Sequence, residues 1–102
     1  MIIVLIRTAF RKDVDMVEYG AVSARMNELA QTIPGFISIK GYAAEDGDEI
    51  SIARFETEEA LVAWRDHPEH LEAQRKGRER FFSSYDVQVC AVTRAYDFVH
   101  TT

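Results

Sequence analysis

One cysteine in 102 residues, Cys90, excludes an internal disulfide and any CxxC metal knuckle. Its apolar neighbours predict a free thiol packed as a small buried hydrophobe. No apolar run approaches the roughly 20 residues that cross a bilayer. The opening run Ile2–Ile6 is too short for a targeting core and has no charged segment before it. The sequence therefore predicts a cytoplasmic protein without membrane contact. Positive charge is also in deficit. Twelve Lys and Arg stand against 17 Asp and Glu, and a net charge of -5 disfavours a surface that tracks nucleic-acid phosphates. The basic run Arg75, Lys76, Arg78 and Arg80 is interleaved with Glu72 and Glu79, so it reads as a solvated helix face. No glycine-rich phosphate loop is present, and Ser83, Ser84 and Asp86 have no neighbouring histidine with which to build a hydrolase triad.

What is present is an ordinary globular balance, 47% hydrophobic and 28% charged, in a length that fits one domain over residues 1–102. Ile2 to Ala9 is a β-branched run and predicts a first strand covered on both faces. Asp13 is the expected N-cap of a helix from about Val14 to Gln31, with Val22, Met26, Leu29 and Ala30 at helical spacing. Pro34-Gly35 ends it. Phe36 to Glu45 alternates as a strand, with Phe36, Ser38, Lys40 and Tyr42 on one face and Ile37, Ile39, Gly41 and Ala43 on the other. Asp46-Gly47 suits a tight hairpin turn, and Glu49 to Glu56 is the return strand. Thr57 caps a further helix with the stripe Ala60, Leu61 and Trp64. Pro68 interrupts that stripe and opens an offset helix to about Arg80. Tyr85 to about Phe98 is the expected last strand. The order βαββαβ gives an α+β, ferredoxin-like fold: an antiparallel four-stranded sheet with helices on one face.

Such a sheet leaves its other face bare, yet both alternating sets carry apolar side chains. A second sheet packed on that face resolves the conflict, and this predicts a homodimer. The last strand points the same way. At roughly 3.3 Å per residue, residues 85–98 would span on the order of 45 Å, longer than a globule of this size. Tyr96 and Phe98 are then expected to cross onto the partner.

Few residues stand out as chemical. Trp64, the one tryptophan, either packs the core or walls a ligand site. His67 and His70 flank Pro68, but no third ligand accompanies them, so no metal is expected. Helix capping by His67 and a solvent-edge position for His70 are the plainer roles. Arg7, Lys40, Arg54 and Arg94 interrupt strand-like sequence, where they can hold an anionic or phenolic ligand or pair with neighbours such as Glu56 and Asp97. Tyr42, Tyr85 and Tyr96 can hydrogen-bond a ligand or close a dimer seam.

The stretches Pro34-Gly35-Phe36, Glu45-Asp46-Gly47 and Ala63-Trp64-Arg65-Asp66-His67-Pro68-Glu69-His70, followed by Gln74, Gly77-Arg78-Glu79, Tyr85, Arg94 and Tyr96, resemble the antibiotic biosynthesis monooxygenase (ABM) domain family. That family belongs to the dimeric α+β barrel superfamily, and the resemblance runs from Ile2 to about Phe98. It implies a monooxygenase that oxidises a small planar aromatic of phenol or quinone type with molecular oxygen and no cofactor. Trp64, His70 and Arg94 would carry the chemistry, with His67, Tyr42, Tyr96, Arg7 and Gln74 around the substrate. A non-catalytic dimeric ligand-binding or accessory domain is the alternative. Other relatives bind and degrade haem. Against them Trp64 matches a family tryptophan, but Arg7 stands where those relatives have asparagine and Gln74 where they have the histidine ligand, which works against haem chemistry here.

Overall fold

The computed structural model describes residues 1–101. Strand β1 (Ile2–Phe10) leads into helix α1 (Met16–Gln31), then the hairpin β2 (Phe36–Ala43) and β3 (Glu49–Phe55). Helices α2 (Glu58–Arg65) and α3 (Pro68–Lys76) follow, then a π-helical turn (Gly77–Phe81) and β4 (Phe82–Ala91). The sheet order is β2-β3-β1-β4 and every pairing is antiparallel, the ferredoxin-like arrangement. Among the described residues, no helix is long and apolar enough to cross a membrane.

The strand period decides what each face carries. Val4 pairs with Ala53 and Val89, and Ile6 with Ser51 and Val87, so these side chains share the face under the helices. There Val4, Ala53 and Phe55 pack against Leu29 and Ala30 of α1 and Ala60, Leu61 and Trp64 of α2. The opposite face carries Ile3 and Leu5 of β1, Ile50 and Ile52 of β3, and Cys90 of β4. β1 is therefore central, but only its helix-facing side is covered within the chain. Cys90 is exposed on this second face, not buried as its apolar neighbours suggested, because β4 is an edge strand.

Local chemistry moves several boundaries. The α1 cap is Asp15, not Asp13: its carboxylate accepts from the backbone N–H of Val17 at 3.0 Å and Glu18 at 3.1 Å. Residues ahead of it are held in a turn by the Val14 N–H to Arg11 carbonyl bond. In β2 the register slips between Phe36 and Ser38, which brings Phe36 onto the helix side against Phe55 despite its spacing from Ser38. β4 begins at Phe82 and stops at Ala91, short of Phe98. Ala91 pairs with Ile2, and the Val92 N–H reaches the Met1 carbonyl. Beyond that point β1 offers no partner, and a ladder ends where its neighbour ends. Tyr96 and Phe98 lie past it, 91% and 86% exposed.

Gly35 shows how closely α2 sits on the hairpin. Its φ is +91°, and a Cβ there would lie 2.9 Å from the Ala60 Cβ. Gly35→Ala combines left-handed strain with overpacking, so unfolding in denaturant should show a loss of about 2–3 kcal/mol.

Candidate functional site

Pro68 has no N–H for the Trp64 carbonyl four residues earlier, which keeps only a 3.3 Å bond from the His67 N–H, and α3 adds two side-chain donors one turn apart at the end of α2. His70 Nδ1 donates to the Trp64 carbonyl at 3.1 Å, and Gln74 Nε2 donates to the Arg65 carbonyl at 2.9 Å. A carbonyl only accepts, so Nδ1 carries the hydrogen and Nε2 of the neutral ring keeps its lone pair. The His70 ring stacks on Trp64 with centroids 4.1 Å apart and planes 26° apart. Trp64 is itself buried, and its Nε1 donates across to the Met26 carbonyl of α1 at 3.3 Å.

Burial lowers the His70 pKa below the ordinary 6.5, against the opposing pull of its bond to Trp64. The imidazole is therefore neutral at pH 7. Its folded value lies below its unfolded one, so its contribution to stability is present above about pH 6.5 and is lost as pH falls through the folded value. The urea midpoint should fall less steeply on acidification from about pH 7 to 5 in His70→Asn, which keeps a donor for the Trp64 carbonyl, than in the native chain.

Trp64 and His70 wall a cavity of about 410 Å³ between α1, α3 and the helix-facing side of the sheet. Its floor is Val4, Ile6 and Thr8 of β1 with Ser51 of β3. Tyr19, Ser23 and Asn27 of α1 contribute the opposite wall, beside Val22 and Met26. Phe81 and Phe82 close one end. Along the edge strand, the lining residues Tyr85, Val87 and Val89 are 44–50% exposed, so the cavity opens there. Two parallel bonds of 2.8 Å from Arg25 to Glu69 tie α1 to α3 beside His70. The Arg25 guanidinium holds the Glu69 carboxyl below the usual carboxylate range. At the aromatic end, a Cβ on Gly77 would lie 2.9 Å from the Phe82 ring, so only glycine lets the π-turn fold onto that wall.

Of the eight residues that the family resemblance implies for the site, the fold brings Trp64, His70 and Gln74 together at this cavity, and Tyr85, singled out beside them, lines its open edge. His67 instead caps α3, its Nδ1 accepting from the Glu69 N–H at 3.1 Å. Arg7 and Tyr42 sit on the far face of the sheet because their strand positions are odd relative to the cavity floor. There Arg7 Nε donates to Asp86 at 2.9 Å, and Tyr42 lies under the Lys40 ammonium, 5.4 Å from its ring centroid. Arg94 and Tyr96 follow β4 and are exposed. Among the described residues, no three His, Cys, Asp or Glu side chains gather where a metal could bind. The α1 wall was not singled out. Its signal in the sequence is the four-residue spacing of Tyr19, Ser23 and Asn27 alongside the apolar stripe.

The family model described as antibiotic biosynthesis monooxygenase matches residues 1–76, three-quarters of the chain and both helices that carry Trp64 and His70. The chain belongs to the ABM family. The uncharacterized protein YqjZ of Bacillus subtilis is 36% identical over 84 residues, which cover 82% of this chain and 74% of YqjZ. Among solved ABM-fold structures, Rv0793 from Mycobacterium tuberculosis superposes with a TM-score of 0.80 at 22% identity, covering 94% of this chain and 98% of that one. The N63A mutant of SnoaB from Streptomyces nogalater, described as a cofactor-independent oxygenase, gives 0.76 at 16% identity, with 92% and 94% covered. At those identities the likeness is one of fold.

Proposed function

We propose that this ABM-family protein is a cofactor-independent monooxygenase that oxidises a small planar phenol to a quinone in the cavity beside Trp64. The observation that carries the proposal is His70: a neutral imidazole with its donor nitrogen committed to a carbonyl, stacked on Trp64 at the wall of an apolar cavity. His70 Nε2 takes the phenol proton, and the phenolate pushes electron density onto its para carbon. That carbon passes electrons to molecular oxygen and forms the C–O bond. The resulting hydroperoxide breaks its O–O bond and loses water. One oxygen atom becomes the second quinone carbonyl and the other leaves as water, so the substrate supplies all the electrons. Trp64 packs against the ring, and the apolar side chains Val4, Ile6, Val22 and Met26 keep the phenolate desolvated and reactive.

The active unit in this proposal is a homodimer. The sheet face without helices carries Ile3, Leu5, Ile50 and Ile52, and a second copy of that face covers them. Arg94 and Tyr96, outside their own chain's cavity, would serve a substrate only from a partner subunit.

Oxygen-electrode assays with 1-naphthol, 1,5-dihydroxynaphthalene and anthrone test the reaction. One oxygen consumed per quinone formed, with one ¹⁸O atom from labelled oxygen in the quinone, is the expected result. Saturable binding of these compounds without oxygen uptake would instead make the protein a ligand-binding domain.

A further inference from the structure

Gln74 lines the cavity one turn beyond His70, yet the proposed chemistry leaves it without a part. Two carbonyls at the end of α2 lack the N–H that an unbroken helix supplies four residues later. Pro68 has none to offer Trp64. The Glu69 N–H, the matching donor for Arg65, is taken by His67 Nδ1 at 3.1 Å. His70 Nδ1 and Gln74 Nε2 fill these two places at 3.1 and 2.9 Å. They do so from positions roughly 6 Å apart along α3.

Buried packing does not hold α3 in that rotation, because none of its nine residues is buried. The Arg25–Glu69 pair ties down its first turn through exposed side chains, where salt weakens the attraction. Stacking on Trp64 fixes the plane of the His70 ring but not which edge meets the carbonyl. A half-turn about the Cβ–Cγ bond preserves the stack and puts a carbon where Nδ1 was. Only the bond to the Trp64 carbonyl distinguishes the two settings, and its length depends on where α3 sits. With one bond to the end of α2 the helix can pivot about it. With two, one turn apart, it cannot.

We infer that Gln74 is a positioning residue: its bond to the Arg65 carbonyl holds α3 where the His70 N–H reaches Trp64, which leaves Nε2 as the acceptor of the ring at the cavity wall. In this role Gln74 touches neither the transferred proton nor the reacting carbon. Its effect on the reaction rests on the general base proposed above, but the setting of the ring is measurable without any substrate.

Gln74→Met tests it, since methionine keeps the length and helix propensity of glutamine and removes the donor. Nitrogen-15 NMR at about pH 8, where the imidazoles are neutral, reads the tautomer of each ring, and His70→Asn assigns the His70 signals. The native ring should carry its hydrogen on Nδ1. In Gln74→Met the Nε2–H form should gain about fivefold on the native ratio, the effect of one net hydrogen bond. The kcat for phenol oxygenation should fall by a similar factor, with KM changed by about twofold or less. Should Gln74→Met lose its fold by circular dichroism, Gln74→Ala removes the same donor with the residue most favourable to a helix. An unchanged tautomer ratio in the folded variant would overturn the role of Gln74. A native ring protonated at Nε2 would overturn both that role and His70 as the base. A tautomer shift in the variant, with a native protein that consumes no oxygen, would support the hold on the ring and overturn only the reaction.

Discussion

His70→Ala is expected to lower kcat for phenol oxygenation by about 10²–10⁴-fold, the range for loss of a positioned general base. The argument rests on the tautomer. With Nδ1–H held by the Trp64 carbonyl, Nε2 is the acceptor in the ring, and the neighbouring Gln74 commits its own donor to Arg65. His70→Asn separates chemistry from architecture, because its amide can still donate to the Trp64 carbonyl but has no titratable nitrogen. It should be as inactive as His70→Ala while melting closer to the native protein. The native rate should rise with pH through the lowered His70 pKa and be flat by about pH 7, since burial keeps the ring neutral there. Native-like activity in His70→Asn would assign the proton transfer elsewhere.

Ile52→Glu should convert the proposed dimer into monomers of 11.7 kDa by light scattering at micromolar concentration. Ile52 lies opposite Leu5 in the middle of the helix-free face, flanked by Ile3 and Ile50. A carboxylate there would be desolvated by the partner sheet, and a two-fold axis would add its copy nearby. The expected weakening is at least about 100-fold in the dissociation constant, from a penalty of several kcal/mol per buried ion. Ile52 points away from the cavity, so the monomer should retain its helical circular dichroism signal. A native protein that already runs at 11.7 kDa would remove the dimer from the account.

Features fixed by a few neighbouring residues were legible in the sequence. The Asp46-Gly47 turn, the Thr57 cap and the Pro68 break all stand where the local chemistry puts them, with the Ala60 N–H donating to Thr57 Oγ1 at 3.1 Å. Features fixed by distant chain were not. The end of β4 depends on where β1 begins, and alternation from Val92 to Phe98 carries no information about a missing neighbour. The facing of Phe36 depends on a bulge at Ile37 that no spacing rule marks. At the site, Trp64 and His70 were legible because Pro68 brings them together locally. Tyr19 and Ser23 reach the same cavity from 40 to 50 residues away, through sheet and helix packing. Arg7 and Tyr42 were drawn to the site by their polarity, although strand parity puts them on the other face.

The most direct test of the account is the emission of Trp64, the one tryptophan, during titration with 1,5-dihydroxynaphthalene, corrected for absorption by the ligand. Occupancy of the cavity predicts saturable quenching with one ligand per chain. It also predicts loss of that response in Ala73→Phe, which fills the cavity from α3. No saturable change, or the same change in Ala73→Phe, would contradict the claim that a planar aromatic binds against Trp64.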